Sequence, residues 1–313
     1  MQDKIETAVF IFGGFLDAGK TSALQGAVLQ ARAGSDGKAV IICTEEGETD
    51  YRRDLLKEFN IEVVDVDSEE EFNTEFLDEV HRQHHPEVVY IEFNGMWDLR
   101  DFLNMPLPPG WFVANVFTMV NATTYNMYLR NMCQTMLIPI SVADVIFFNR
   151  CDDSFDKGKV WRELKILNSR AEIFFVRPDG TVDRELDNIT PPIVDGVMQI
   201  GEEIYCPWFV DCIENPEKYL GKTVKFKGMV FKDNSISENQ FYFGRYATVC
   251  CEADSKFLGF VSAYADEPFE HGDWLEAKAV IEFGEIFDLK KIITLNIQSF
   301  EKVEKPEDPY LFF

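Results

Sequence analysis

The chain contains no run of 18 apolar residues, so no segment reads as a membrane-spanning helix. It is poor in cations, with 30 Lys and Arg against 55 Asp and Glu and a net charge of −25. That balance argues against a nucleic-acid backbone or an anionic membrane as partner, because both are held by basic side chains that neutralise phosphates. Seven cysteines, an odd number without framework spacing, argue against a disulfide scaffold and for a reducing compartment. No basic-then-apolar leader precedes the first apolar run, so a cytoplasmic location is expected. Internal repeats and low-complexity tracts are also missing.

What is present is enough for two domains: 313 residues, 46% of them hydrophobic, with 28 Phe. Up to about residue 180 the chain alternates apolar strands with helical stretches. The strands expected are Ala8–Phe12, Lys38–Cys43, Ile61–Val66, Glu87–Glu92, Phe112–Val120, Val142–Asn149 and Ile173–Val176. Between them lie periodic segments at Ser22–Ala33, Tyr51–Phe59, Ser68–His84, Thr123–Met136 and Lys157–Leu167. Continuous apolar strands joined by helices mean a doubly wound parallel sheet. Thr190-Pro191-Pro192 reads as a linker, and beyond Pro207 the pattern changes to period two. Strands are expected at Thr223–Phe231, Gln240–Cys251, Phe257–Ala263, Trp274–Glu282 and Ile292–Phe300, which suggests a small barrel. The expected fold class is therefore α/β: a P-loop NTPase fold with a mostly parallel sheet over residues 1–190, a linker at 191–206, and an all-β, OB-like barrel over 207–313.

The P-loop assignment rests on Gly14-Phe15-Leu16-Asp17-Ala18-Gly19-Lys20-Thr21-Ser22, a complete G-x-x-x-x-G-K-[ST] motif between an expected strand and an expected helix. Glycines let backbone N–H groups approach phosphate oxygens, and the helix N-terminus adds partial positive charge. Lys20 would reach the β- and γ-phosphates, and the Thr21 hydroxyl would hold Mg²⁺. Glu92, at the end of its strand, can hold Mg²⁺ through water, and Gly95 can offer an unhindered N–H to the γ-phosphate. Asn149-Arg150-Cys151-Asp152 looks like the guanine-reading Asn-Lys-x-Asp element. Asp152 would accept from the guanine edge, Asn149 would bond the base and tie its loop to the P-loop, and Arg150 would pack on the base in place of Lys. Thr44-Glu45-Glu46-Gly47-Glu48-Thr49-Asp50 is placed to be a switch ordered by Mg²⁺ and the γ-phosphate. Asp17 is the candidate for positioning water or Mg²⁺, and no catalytic base is evident.

With these motifs, residues 8 to about 180 resemble the CobW-like GTPases, kin of the UreG and HypB nickel-insertion GTPases. The resemblance implies a metal-linked GTPase that uses GTP and Mg²⁺, with a metalloprotein client. One departure stands out. The family's Cys-x-Cys-Cys follows the switch, whereas this chain has Asp65-Val66-Asp67-Ser68-Glu69-Glu70-Glu71 there and no thiolate set for zinc. Asn215 to Lys222, Gln240-Phe241, Arg245-Tyr246 and Cys250 to Asp254 resemble a bacterial domain encoded beside putative permeases, whose biochemistry is unassigned. That resemblance adds a membrane permease as a candidate partner.

Other metal candidates are weaker. Cys250 and Cys251, with Asp254 near, form a candidate zinc pair, although neighbours in a strand point to opposite faces. Cys206 and Cys212 lack the spacing of a closed zinc site and read as structural. His81 and His85 stand four apart at a helix end, and Arg245 is given no role. The function expected is Mg²⁺-dependent GTP binding and hydrolysis, a nucleotide switch in metal or cofactor handling. The alternative is a regulatory nucleotide-binding module with little turnover that docks a partner through the barrel.

Overall fold

The computed structural model describes residues 6–32, 36–47, 49–183, 189–233, 236, 240–248, 255–264, 269–286 and 290–312. In chain order the elements of the first part are β1 (Thr7–Gly13), α1 (Lys20–Ala31), β2 (Ala39–Cys43), α2 (Arg53–Glu58), β3 (Ile61–Asp65), α3 (Thr74–His84), β4 (Val88–Glu92), α4 (Leu99–Asn104) and β5 (Trp111–Asn121). They continue with α5 (Ala122–Asn131), α6 (Cys133–Val142), β6 (Val145–Asn149), α7 (Lys157–Leu167), β7 (Glu172–Val176) and β8 (Val182–Asp183). The strands make one sheet in the order β3-β2-β4-β1-β5-β6-β7-β8. It is parallel throughout except for β8, which lies antiparallel on β7.

Period two along these strands divides the core between the two faces of the sheet. Val9, Ile11, Val40, Ile42, Val89 and Ile91 face Leu77 and Val80 of α3 and Leu99 and Phe102 of α4. The alternate positions Phe12, Ala39, Ile41, Ile61 and Tyr90 face Leu24 and Val28 of α1 and Leu56 of α2. Both faces are covered, which is why the strands read as unbroken apolar runs. Because every central strand is parallel, all their carboxyl ends open on one edge. The P-loop and the ends of β2, β4, β5 and β6 therefore meet there.

The second part comprises β9 (Ile193–Val194), β10 (Val197–Ile200), α8 (Glu202–Glu214), a 3₁₀ turn at Pro216–Lys218, β11 (Thr223–Phe231), β12 (Gln240–Thr248), β13 (Lys256–Ala263), β14 (Trp274–Ile286), β15 (Lys290–Lys302) and β16 (Tyr310–Phe312). Strands β11-β12-β13-β15-β14 close back on β11 as a five-stranded, OB-like barrel. Only β13–β15 pairs parallel within the ring. Along β11, Val224, Phe226 and Val230 point inward to a core shared with Phe241, Phe243, Phe260, Leu275 and Ile281.

Several expectations need correction. Residues 191–206, expected as a linker, carry β9, β10 and the start of α8. Helix α8 continues past Pro207, and its Tyr205, Trp208 and Cys212 pack in the barrel core, outweighing the hydrogen bond that proline removes. The helix expected over Thr123–Met136 breaks at Met132 (φ −141°) into α5 and α6. By internal contacts the described residues form two compact units, one holding those through 157 with 167–183, the other 158–166 with those from 189 onward. Helix α7 thus groups largely with the barrel. Among the described residues no helix is long and apolar enough to cross a membrane.

Candidate nucleotide-binding site

The loop after β1 turns through conformations that favour glycine. Gly14 has φ +127°, and a Cβ there would lie 2.1 Å from the Met119 carbonyl oxygen. Gly19, at φ +86°, precedes Lys20, the first residue of α1. Asp17 adopts φ +59°, a region that Asp enters more readily than most residues. Lys20 is buried despite its charge. Its Nζ donates to Gly14 O (2.8 Å), to Phe15 O (2.9 Å) and to Glu45 Oε2. Glu45 also accepts a longer contact, 3.4 Å, from the Gly95 N–H.

Glu92 ends β4 in register with Phe12 of β1 and is 3% exposed. Both of its carboxylate oxygens are held: Thr21 Oγ1 donates to Oε1 at 2.7 Å, and the Tyr51 hydroxyl donates to Oε2. Burial first, and then the Glu92 charge, push the Tyr51 phenol far up, so it stays protonated and donates. Thr44 knits the neighbouring strand ends together. Its Oγ1 donates to Glu92 O (2.9 Å) and accepts from Asn94 N (2.8 Å). Gly95 lies so close to the P-loop that an added Cβ would meet Gly14 O at 2.4 Å and Phe15 Cα at 2.7 Å.

On the other side, Asn149 ends β6 in register with Asn121 of β5. Its Nδ2 donates to Ala18 O at 2.5 Å, the expected tie to the P-loop, while its Oδ1 is buried without a partner. Arg150 (φ +56°) donates from Nη1 to Asp17 O at 3.1 Å. Asp152 is exposed, and its Oδ1 accepts from Ser154 N (2.9 Å) and Ser154 Oγ (2.6 Å). Those bonds hold its carboxyl below the usual carboxylate range.

An open cleft of about 980 Å³ lies on this edge. Gly19, Lys20, Thr21, Ser22, Glu92 and Arg150 line it, with Asp17 and Glu45. Asn149 and Asp152 are not in its lining. The residues fit a nucleotide: the glycine cradle, the buried Lys20 and the orphaned Asn149 Oδ1 are donors and acceptors that phosphate and base could satisfy. The hard oxygens of Thr21 and Glu92 suit Mg²⁺. Asp17 is exposed, and its carboxylate makes no hydrogen bond among the described residues. Sequence reasoning missed the contact of Glu45 with Lys20, the Tyr51–Glu92 bond and the cleft residues Asn121, Thr124 and Tyr128. A tyrosine just past an acidic loop was the one signal for the second of these.

The remaining metal candidates fall partly outside the described residues. Among the described residues no cluster of three His, Cys, Asp or Glu could hold a metal ion. Cys250 and Cys251 lie outside the described residues. Cys206 and Cys212 are buried, and burial pushes both thiols up to about 12. His81 Nδ1 accepts from Trp111 Nε1 at 3.0 Å.

A lysine folded back over a glycine loop, between a strand and a helix at the carboxyl edge of a parallel sheet, defines a P-loop nucleotide-binding protein. A family model for the CobW/HypB/UreG nucleotide-binding domain matches residues 8–175, and the chain belongs to that family. Residues 182–313 match the DUF1980 C-terminal domain. The UPF0703 protein YcgQ of Bacillus subtilis is 26% identical over 194 residues, covering 60% of this chain and 67% of that protein. Among solved structures, Zn(II)-bound YjiA GTPase from E. coli aligns with 18% identity and a TM-score of 0.43, over 94% of this chain and 95% of its own. The hydrogenase maturation factor HypB from Archaeoglobus fulgidus aligns with 19% identity and a TM-score of 0.39, over 57% and 84%.

Proposed function

We propose that the protein is a Mg²⁺-dependent GTPase in which the loop 44–50 acts as a nucleotide switch. The observation that carries this reading is the position of Glu45. Its carboxylate contacts Lys20 Nζ and the Gly95 N–H, the two groups assigned to the terminal phosphates. A negatively charged side chain on the switch loop thus stands where phosphate oxygens would stand. An incoming triphosphate competes for the same donors and must displace Glu45, and the loop with it.

In the bound state Lys20 would meet the β- and γ-phosphates. Thr21 and Glu92 would hold Mg²⁺, which neutralises charge on the phosphates. Thr21 and Glu92 now bond each other, so their oxygens are already within reach of one ion. Asn149, Arg150 and Asp152 would hold guanine, with Asp152 kept ionised by Ser154. The P-loop residues Gly14, Ala18, Gly19 and Ser22 would supply backbone and hydroxyl donors.

Both oxygens of Glu92 are tied, so it is a holder rather than a base, and Asp17, exposed in the cleft lining, is a carboxylate free to orient water. Slow intrinsic hydrolysis follows, and this favours keeping a second reading: a regulatory module that binds nucleotide with little turnover and docks a partner through its barrel. Metal handling and a metalloprotein client belong to the first reading through family membership, a permease partner through the resemblance of the C-terminal domain, and a cytoplasmic site of action through the cysteine usage. Steady-state phosphate release with GTP and Mg²⁺ separates the two. Turnover that disappears in Lys20→Ala supports the GTPase, turnover that persists in that variant sinks the P-loop assignment, and no release beside tight GTP binding supports the module.

A further inference from the structure

The barrel unit holds a second pocket, open to solvent and of about 740 Å³, lined by the N-terminus of α8 and strands β10, β11, β12 and β14. Arg245 of β12 lines it and is 1% exposed. A guanidinium carries five N–H donors, and burying one without acceptors is costly. Here Nη1 donates to Glu202 Oε1 at 2.9 Å, while Nε and Nη2 are buried with no partner. The guanidinium also stands 5.0 Å from the centre of the Trp274 ring, which fixes its plane. Glu202 is the first residue of α8, and its side chain is 58% exposed. Among the described residues the one side chain that accepts from this buried cation is therefore a long one reaching in from solvent.

The surroundings add two features. No side chain caps the N-terminus of α8 at Gly201, so backbone N–H groups are available beside the cavity. Lys225 and Lys227 also line it. Lys225 pairs with Glu276 at 2.7 Å, whereas Lys227 makes no ion pair among the described residues. Cations outnumber carboxylates around this cavity, although the chain as a whole carries −25. Its lining also has an apolar part, Phe226, Tyr205 and Ile200, continuous with the barrel core.

We propose that this cavity binds a small organic carboxylate, with Arg245 as its anchor and Glu202 as the group it displaces. A planar carboxylate matches the guanidinium fork, and Glu202 already demonstrates that pairing in cis. The apolar wall would receive the carbon body of the ligand, which a bare inorganic anion lacks. Lys227 and the free end of α8 would meet a second oxygen or a second acid group. The proposal stands apart from the nucleotide site and does not depend on it.

The test uses the whole 313-residue chain, with succinate and benzoate as carboxylate probes and inorganic phosphate as the alternative, read by calorimetry and by thermal denaturation. Wild type should bind at least one carboxylate probe and be stabilised by it. Glu202→Gln, at an exposed position, removes the competing charge and should tighten that binding about tenfold. Lys227→Gln should weaken it severalfold, and Arg245→Gln, if folded, should abolish it. If Glu202→Gln only lowers the melting temperature and no probe binds either protein, the Arg245–Glu202 pair is structural and the proposal fails. Binding of phosphate alone would also overturn it.

Discussion

Glu45→Gln isolates the competition on which the switch depends. The Lys20 side chain is 2% exposed and that of Glu45 10%, and they form a direct ion pair. A hydrogen bond to a charged group contributes about 1.5–3 kcal/mol, against roughly 1 kcal/mol for a neutral one. The amide keeps the shape and one hydrogen bond but loses the charge, so the free state loses on the order of 1–1.5 kcal/mol. Nucleotide binding discards the Glu45 contact in either protein, so the variant has less to give up. Removing a carboxylate from beside the phosphates acts in the same direction. Titration calorimetry with GDP and with a non-hydrolysable GTP analogue should therefore show roughly tenfold tighter binding in the variant. Thermal denaturation of the unligated variant should show a fall of a few degrees, about 2–4 °C per kcal/mol for a domain of this size. Unchanged or weaker nucleotide binding in a folded Glu45→Gln protein would refute the reasoning, because Glu45 would then be an ordinary loop residue or a direct helper of the nucleotide.

Other expectations follow from the same geometry. Gly95→Ala places a Cβ against Gly14 O and Phe15 Cα, so it should cost about 1–3 kcal/mol of stability, as overpacking does, and by displacing the P-loop weaken nucleotide binding in the same titration. Asp152→Asn replaces an acceptor with a group that also donates, and should shift preference from GTP toward XTP by about 10–100-fold, the scale of one bidentate base contact. Burial raises the thiols of Cys43 to about 11 and of Cys206 and Cys212 to about 12. At pH 8 these groups are almost wholly protonated, and their thiolate fraction grows about tenfold per pH unit until the pKa is reached. Mass spectrometry after iodoacetamide should find all three unmodified in the native protein at pH 8 and modified in urea. Rapid native labelling of Cys206 would contradict that burial.

Much of the nucleotide domain was legible because its signals are local. A glycine loop needs particular residues at particular positions, and the strands β1 to β7 are apolar on both faces because both faces are covered. The edge that gathers Lys20, Thr21, Glu92 and Asn149 then follows from parallel strands alone. What was illegible is set by distant packing. Residues 191–206, opened by Pro191 and Pro192, read as a linker, yet Tyr205, Trp208 and Cys212 anchor α8 in the barrel core across Pro207. The break at Met132 leaves no local signature, since α5 and α6 together present one periodic run. Lys20 and Glu45 stand 25 residues apart, so spacing could not pair them. Arg245 in an alternating strand carries no signal of a role, and only the fold shows it buried over Trp274.

The central claim is that this P-loop takes guanine nucleotide and that Mg²⁺ is part of the site. Parallel calorimetric titrations of the wild-type protein with GTP and ATP analogues, with and without Mg²⁺, test it most directly. GTP should bind at least about tenfold more tightly than ATP, in keeping with one base contact to Asp152, and should bind more weakly when Mg²⁺ is withdrawn. Equal or tighter binding of ATP, or triphosphate binding indifferent to Mg²⁺, would contradict it.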